Sequence, residues 1–353
     1  MKNSKYGSTL LSSTLNSPLF RGGWWGRTIR ALEGQFLLAL FLLLVVPVMD
    51  ATEPVRVGIA WQRSVDNYDR VIHSITAAGG EPVILPQLRP AGWEYEGVNI
   101  LPTYLGEHGM LLQPWADQVK RDTWHGTNAD EALQGVQAVV FLGGGDVCPT
   151  LFATPQTWHG IAAEGDHDAT RDVSEYLTMA YCLDHDIPVL GLCRGMQLLG
   201  VVSGAPLIQD LPTYYSRLGK TDHYVHRSDY DYEGNRHYSP HDVVVTNRRS
   251  LLWSIVHTDT IHGAPSWHHQ AVGDVTGTPL RVTGVAEHDG VTVIEAIERP
   301  DKRWVLGVQF HPETAVRKHL HHEDDEHRFM SLRQGLAYFR ALIQAAASSQ
   351  AKE

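Results

Sequence analysis

The stretch Pro188–Val201, PVLGLCRGMQLLGV, decides how the rest of the chain is read. An apolar run ends in Gly191-Leu192-Cys193-Arg194-Gly195 and a helical pattern starts at Met196, so Cys193 falls where a buried strand turns into a helix. That arrangement is a nucleophile elbow with cysteine as the nucleophile. So sharp a turn brings backbone against backbone, and side chains at Gly191 or Gly195 are expected to collide with the neighbouring strand or helix. At a helix N-terminus the unpaired N–H groups and the macrodipole favour thiolate over thiol. A buried structural cysteine is the alternative reading, but a plain core strand has no need of a glycine on each side of its thiol.

Two further strand ends carry chemistry. Ala138–Leu142 reads as a buried strand running into Gly143-Gly144-Gly145-Asp146. Consecutive glycines at the carboxyl end of a strand let backbone N–H groups point into a cleft, as an oxyanion hole requires. A phosphate-binding loop is the rival reading, and it lacks both the Walker Lys-Ser/Thr and the full GxGxxG spacing. Trp304–Phe310 is a last buried strand and ends in His311-Pro312-Glu313. A histidine there, with a carboxylate two positions on, is placed to act as base and orienter for a thiol at another strand end. Pro312 is expected to keep the link rigid and non-helical.

Around these three ends the pattern alternates short apolar runs with helical segments. Val55–Trp61 and Pro82–Leu85 read as strands flanking a helix over Tyr68–Ala78, and a helix over Asp172–His185 precedes the strand Ile187–Leu192. Helix Met196–Val202 follows the elbow. The fold class is therefore α/β, with a mostly parallel central sheet covered by helices on both faces. His241–Thr246, Leu280–Ala286 and Val291–Ile297 read as short strands, the last of them part of a meander. A closing amphipathic helix presents Phe329, Leu332, Leu336, Phe339 and Ile343 as core packing. Pro90–Asn128, with five scattered Trp and Tyr residues, reads as an insertion with some helix near Trp115–Arg121. Pro206–Pro240 carries six tyrosines with little periodicity and reads either as a lid or substrate wall or as a surface loop.

The chain has 353 residues, enough for a substantial core, and a formal net charge of −11 with no offsetting basic stripe, which argues against a nucleic-acid partner. Three cysteines, Cys148, Cys182 and Cys193, are one reactive thiol and two bystanders rather than a disulfide framework. Of the twenty histidines, His319, His321, His322 and His327 lie in an acidic run without clean metal-ligand spacing. Residues 1–35 have the composition of a disordered segment. Residues 36–49 form an uninterrupted apolar run of about 20 Å as a helix, short of the bilayer's roughly 30 Å, and resemble a signal-peptide core or an anchor with membrane contact. Either reading exports or anchors the domain over residues 54–347, whereas a start at Met49 would leave it in the cytosol. The sequence leaves open whether copies of the chain associate.

With these motifs in hand, the chain resembles the class I glutamine amidotransferase-like superfamily, whose flavodoxin-like layering carries the same elbow. Within it the chain is most similar to the gamma-glutamyl-gamma-aminobutyrate hydrolase family. The resemblance runs from about Val55 to about Ala347 and rests on five pieces in order. They are GGGD at Gly143–Asp146, Arg171-Asp172, the elbow itself, HHQAV at His268–Val272, and GVQFHPE at Gly307–Glu313. By position it implies Cys193 as nucleophile, His311 as general base and later acid, and Glu313 as the group that orients the imidazole. The N–H groups of Gly144 and Arg194 would hold the oxyanion, while Gly143, Gly145, Gln197, His269 and Gln270 would shape the substrate site.

The implied reaction is hydrolysis of a C–N bond, the gamma-glutamyl amide of a small molecule, through a thioester, as in amine or polyamine catabolism. It needs no metal or organic cofactor. Two other functions stand beside it: a glutaminase subunit supplying ammonia to a separate synthetase, and an inactive ligand-binding relative. The chain departs from the family pattern in its hydrophobic leader and its aromatic insertion. It also carries Ser203-Gly204-Ala205-Pro206 where Gly-Gly-Thr or Gly-Gly-Ser is usual.

Overall fold

Short apolar runs bounded by glycine, proline or a capping residue become the strands. In the computed structural model, which describes residues 53–63 and 68–350, strand β1 (Arg56–Ile59) precedes helix α1 (Tyr68–Ala77) and β2 (Glu81–Ile84). A ribbon of β3 (Tyr95–Glu96) and β4 (Asn99–Ile100) and helix α2 (Gln113–Asp122) form the insertion, and α3 (Ala129–Ala132) follows. Then come β5 (Ala138–Phe141), α4 (Ala169–Asp184), β6 (Val189–Leu192) and α5 (Arg194–Val202). Beyond the elbow lie β7 (Leu207–Ile208), α6 (Leu211–Arg217), β8 (Ser239–Val245), α7 (Leu251–Val256), β9 (Thr260–Ser266) and β10 (Ala271–Val272). The chain closes with β11 (Arg281–His288), β12 (Val291–Glu298), β13 (Val305–Val308), α8 (Pro312–His321) and α9 (Leu332–Gln350).

Nine strands form one sheet in the order β2-β1-β5-β6-β13-β12-β11-β8-β9. β2, β1, β5, β6 and β13 pair in parallel and the remaining pairs are antiparallel, so only β12 and β8 run against the other strands. Register brings the chemistry together. Phe141 pairs with Gly191, and Leu192 pairs with Val308. The glycine loop, the elbow and the His311 segment therefore emerge side by side from the carboxyl ends of three adjacent strands, where α/β sheets bind ligands.

Alternation in these strands builds a core on each face. Val139, Phe141, Val189 and Val305 face one cluster, shared with Met196 and Leu198 of α5 and Val173 of α4. Val140, Leu142, Leu190, Leu192, Leu306 and Val308 face the other, shared with Ile75 of α1 and Phe339 and Leu342 of α9. Each such side chain stabilises the fold by about 1.5–3 kcal/mol when fully buried. A slip of one residue would exchange both faces at once, so the register is strongly set.

The structure corrects several details of the sequence reading. Pro312 does not break the chain: it is the first residue of α8, with His311 at the N-cap, because proline lacks an N–H where none is needed and its φ suits a helix start. Within Pro206–Pro240 a short helix, α6, forms behind the Asp210 cap, and Tyr215 is fully buried while Tyr230 and Tyr232 are exposed. Strand β9 and helix α7 were not anticipated. Helix α4 starts at Ala169 because the Asp168 side chain accepts from Arg171 N–H. The aromatic insertion packs inward, with Trp93 and Tyr104 stacked at 4.8 Å and Trp115 edge-on to both. Among the described residues no helix is long and apolar enough to cross a membrane. Residues 1–35 and 36–49 lie outside the described residues.

Candidate active site

Cys193 has φ 49° and ψ −103°, a conformation L-residues rarely adopt, at a cost of about 1–3 kcal/mol that the surrounding structure must impose. Tight packing does so. A methyl group on Gly191 would lie 2.7 Å from the Gly195 carbonyl, and one on Gly195 would lie 2.6 Å from Phe141 O. The Cys193 N–H donates to Val308 O at 2.8 Å, tying the elbow to β13. Its thiol, 3% exposed as a residue, has Trp267 O at 3.8 Å and receives a hydrogen bond from Gln309 Nε2 at 3.4 Å. The other two cysteines are buried and free, and burial pushes both thiols up, so they stay protonated.

The His311 Nδ1 lies 2.6 Å from Glu313 Oε1, and its ring packs edge-on to Tyr238 at 5.2 Å. Burial alone would depress this imidazole. Tyr238, Glu313 and Cys193 reverse that effect and hold it well above the ordinary histidine value, with Cys193 also contributing a side-chain hydrogen bond. Gly143 separates the two groups: a methyl there would meet His311 Cε1 at 2.6 Å and Cys193 Cβ at 3.5 Å. Gly144 sits at φ 148°, and Arg194 is the first residue of α5, whose N–H has no partner within the helix. The two N–H groups named for the oxyanion thus belong to segments that flank the thiol.

Behind the elbow lies a buried ionic quartet. Arg194 pairs with Asp172 and with Glu175, while Arg171 Nε donates to Glu175 Oε1 at 3.0 Å and Arg171 Nη2 to Gly143 O at 2.9 Å. Asp172 Oδ2 also accepts from Cys148 N–H at 3.1 Å. Burial brings the Arg194 guanidinium down to about 10, with Arg171 adding to the effect and Asp172 opposing it, so it stays charged at neutral pH. Two cations and two anions cancel, and together they tie the glycine loop, α4 and α5 into one frame. The sequence reading quoted Arg171-Asp172 only as a family piece and missed Glu175, because nothing local marks a mid-helix glutamate as buried.

The facing wall is the His268-His269-Gln270 turn. His269 bridges Asp146 Oδ1 at 2.8 Å and Asp210 Oδ1 at 3.2 Å; burial opposes its charge, but the two carboxylates raise it to about 9. Gln270 Oε1 accepts from Val147 N–H at 3.3 Å, leaving its Nε2 a buried donor without a partner. Gln197 Nε2 reaches Gln270 O at 3.0 Å and Gln309 Oε1 at 3.3 Å, so this side chain braces the wall against the elbow. Gln309 went unremarked in the sequence reading, although it stands inside the GVQFHPE motif. A cleft of about 790 Å³ opens here, lined by Gly143, Gly144, Gly145, Cys193, His269 and His311, with Arg70 and Arg227 at its sides. All the residues named from sequence border it or, in the case of Glu313, support its base.

Comparison with known proteins agrees with this architecture. The Peptidase C26 family matches residues 122–313, more than half of the chain. A protein of Mycobacterium tuberculosis named as a glutamine amidotransferase is 33% identical over 215 residues, covering 61% of this chain and 57% of its own. A glutamine amidotransferase-like protein of Lactococcus lactis is 33% identical over 186 residues, covering 53% of this chain and 70% of its own. The gamma-glutamyl-gamma-aminobutyrate hydrolase of Escherichia coli K12 is 29% identical over 150 residues, covering 42% and 55%. The chain thus spans a little over half the length of the first and third of these relatives. With the elbow, the glycine loop and the histidine segment all inside or bordering the matched region, the chain belongs to the Peptidase C26 family of the class I glutamine amidotransferase-like superfamily, a group of C–N hydrolase-type enzymes.

Proposed function

We propose that this protein is a cysteine hydrolase that cleaves the gamma-glutamyl amide bond of a small molecule to glutamate and an amine. The observation that carries the reading is the meeting of Cys193 with His311, whose Nδ1 lies 2.6 Å from Glu313 Oε1, at the ends of the neighbouring strands β6 and β13. The Cys193 thiolate attacks the amide carbonyl, and the oxyanion forms against the Gly144 and Arg194 N–H groups. Collapse breaks the C–N bond, and the amine leaves with a proton from the His311 imidazolium. Water then attacks the thioester while His311 takes its proton, glutamate departs, and the thiolate is restored. Glu313 keeps the imidazole in one orientation and stabilises its charged form. Arg70, hydrogen-bonded to the Tyr238 hydroxyl at 2.8 Å, supplies positive charge for a substrate carboxylate, and Gln270 Nε2 offers a buried donor.

The amidotransferase names among the relatives favour a second reading, a glutaminase that feeds ammonia to a partner. Glutamate release from a panel of gamma-glutamyl amides and from glutamine separates the two, with Cys193→Ala as control. The first reading expects release from substituted amides by the wild type alone. Release from glutamine only, or only with a partner protein added, supports the second. Equal release by wild type and Cys193→Ala excludes both.

A further inference from the structure

Next to the wall, the antiparallel half of the sheet gathers four titratable groups that the proposed reaction does not use, three of them buried. Glu295 of β12 is 0% exposed, and His226 and His268 are 2% and 4% exposed. His226 Nδ1 stands 3.3 Å and His268 Nε2 3.4 Å from Glu295 Oε1, and His241 Nε2 stands 3.3 Å from Oε2. All three are ion-pair distances rather than well-aligned hydrogen bonds. Both carboxylate oxygens, both ring nitrogens of His226, and Nε2 of His241 and His268 are buried without a hydrogen-bond partner. Native interiors rarely leave so many polar atoms unpaired in one place.

The protons on two of the rings follow from their other contacts. His268 Nδ1 is 2.9 Å from Gln270 O, and His241 Nδ1 is 3.3 Å from Val225 O. A carbonyl oxygen can only accept, so in a neutral ring each Nδ1 carries the proton and each Nε2 turns a lone pair towards Glu295. Lone pairs aimed at a carboxylate repel it unless a proton or a metal cation lies between them. Imidazoles held through the far N–H by a carbonyl are also the usual second layer of a metal site. The two contacts to Glu295 Oε1, at 3.3 and 3.4 Å, have the spacing of such a site, since ligand atoms about 2.0–2.1 Å from a tetrahedral zinc lie about 3.3–3.4 Å from one another. The donor atoms of His226, His268 and Glu295 all fall within 4.8 Å of one another.

We propose that His226 Nδ1, His268 Nε2 and Glu295 Oε1 bind a divalent transition metal of the zinc type. Three buried protein ligands from separate segments make the site a cross-link of the fold. The metal staples β12 to the Val225–His226 loop and to the His268 turn, which already share the His226 carbonyl through His268 N–H at 3.0 Å and Ser266 Oγ at 2.8 Å. It thereby fixes the wall that carries His269 and Gln270. The exposed His321, His322 and His327 form no part of it.

The test uses the full chain, stripped with chelator and dialysed against zinc, with metal content and thermal midpoint as readouts that do not depend on the reaction. The wild type and the surface control His321→Asn/His322→Asn are expected to hold one zinc per chain and to melt several degrees higher with it. Glu295→Gln is expected to hold none and to show no shift. Should Glu295→Gln fail to fold, the visible spectrum of the cobalt-loaded wild type decides: strong tetrahedral bands quenched by zinc support the site, and a pale six-coordinate spectrum overturns it. A wild type that retains no zinc, or zinc that is lost with His321 and His322 but kept in Glu295→Gln, also overturns the proposal.

Discussion

His269 gives the protein a pH-dependent brace. In the fold its imidazole bridges Asp146 and Asp210 and rises to about 9, against an ordinary value of 6.5. The folded value lies above the unfolded one. The stabilisation is therefore complete below about pH 6.5 and is lost as pH rises through about 9. At about 1.36 kcal/mol per unit, the shift corresponds to roughly 3 kcal/mol, an order of magnitude suited to a group only 12% exposed. Urea unfolding of the wild type and of His269→Gln at about pH 6 and about pH 10 measures it. The stability gap between the two proteins should shrink by a few kcal/mol across that interval. A gap that stays constant, or that widens with pH, would refute the reasoning, since it would mean that the bridge does not depend on the imidazolium.

Three other perturbations test the frame and the site. Arg194→Leu leaves Asp172 and Glu175 buried with Arg171 alone and should cost about 3–5 kcal/mol in chemical unfolding; a loss under about 1 kcal/mol would mean the quartet does not hold the elbow. Gly143→Ala places a methyl 2.6 Å from His311 Cε1. It should cost about 1–3 kcal/mol and lower kcat roughly 10²-fold by displacing the imidazole, and unchanged kcat would contradict that placement. Glu313→Gln removes one of the groups that hold His311 above its ordinary value. The imidazolium would then be lost at lower pH, so the alkaline limb of kcat/KM should move towards neutrality and kcat should fall roughly 10²–10⁴-fold. An alkaline limb that does not move would detach Glu313 from the base.

The site was legible wherever its chemistry is local in the chain. Glycines around Cys193, three glycines ending β5 and a histidine ending β13 announce themselves because close backbone approach and strand ends leave sequence marks. The fold class followed from alternation alone. What was missed depends on tertiary partners. Strand β9, with Gly263 and Pro265 inside it, has little strand propensity and forms because β8 pairs with it. Helix α6 is too short for periodicity and is announced only by its Asp210 cap and the proline two residues on. Glu175 and Glu295 look like surface glutamates in sequence, yet both are fully buried, and only the folded neighbours explain why.

The central claim is a covalent glutamyl–Cys193 intermediate resolved by His311. Rapid acid quench of the full chain with a gamma-glutamyl amide, followed by intact and peptide mass measurement, tests it most directly. The account predicts a mass gain of one glutamyl group on the peptide carrying Cys193, longer-lived in His311→Gln if acylation still occurs, and absent from Cys193→Ala. Turnover with no adduct on that peptide, or an adduct that survives Cys193→Ala, would contradict it.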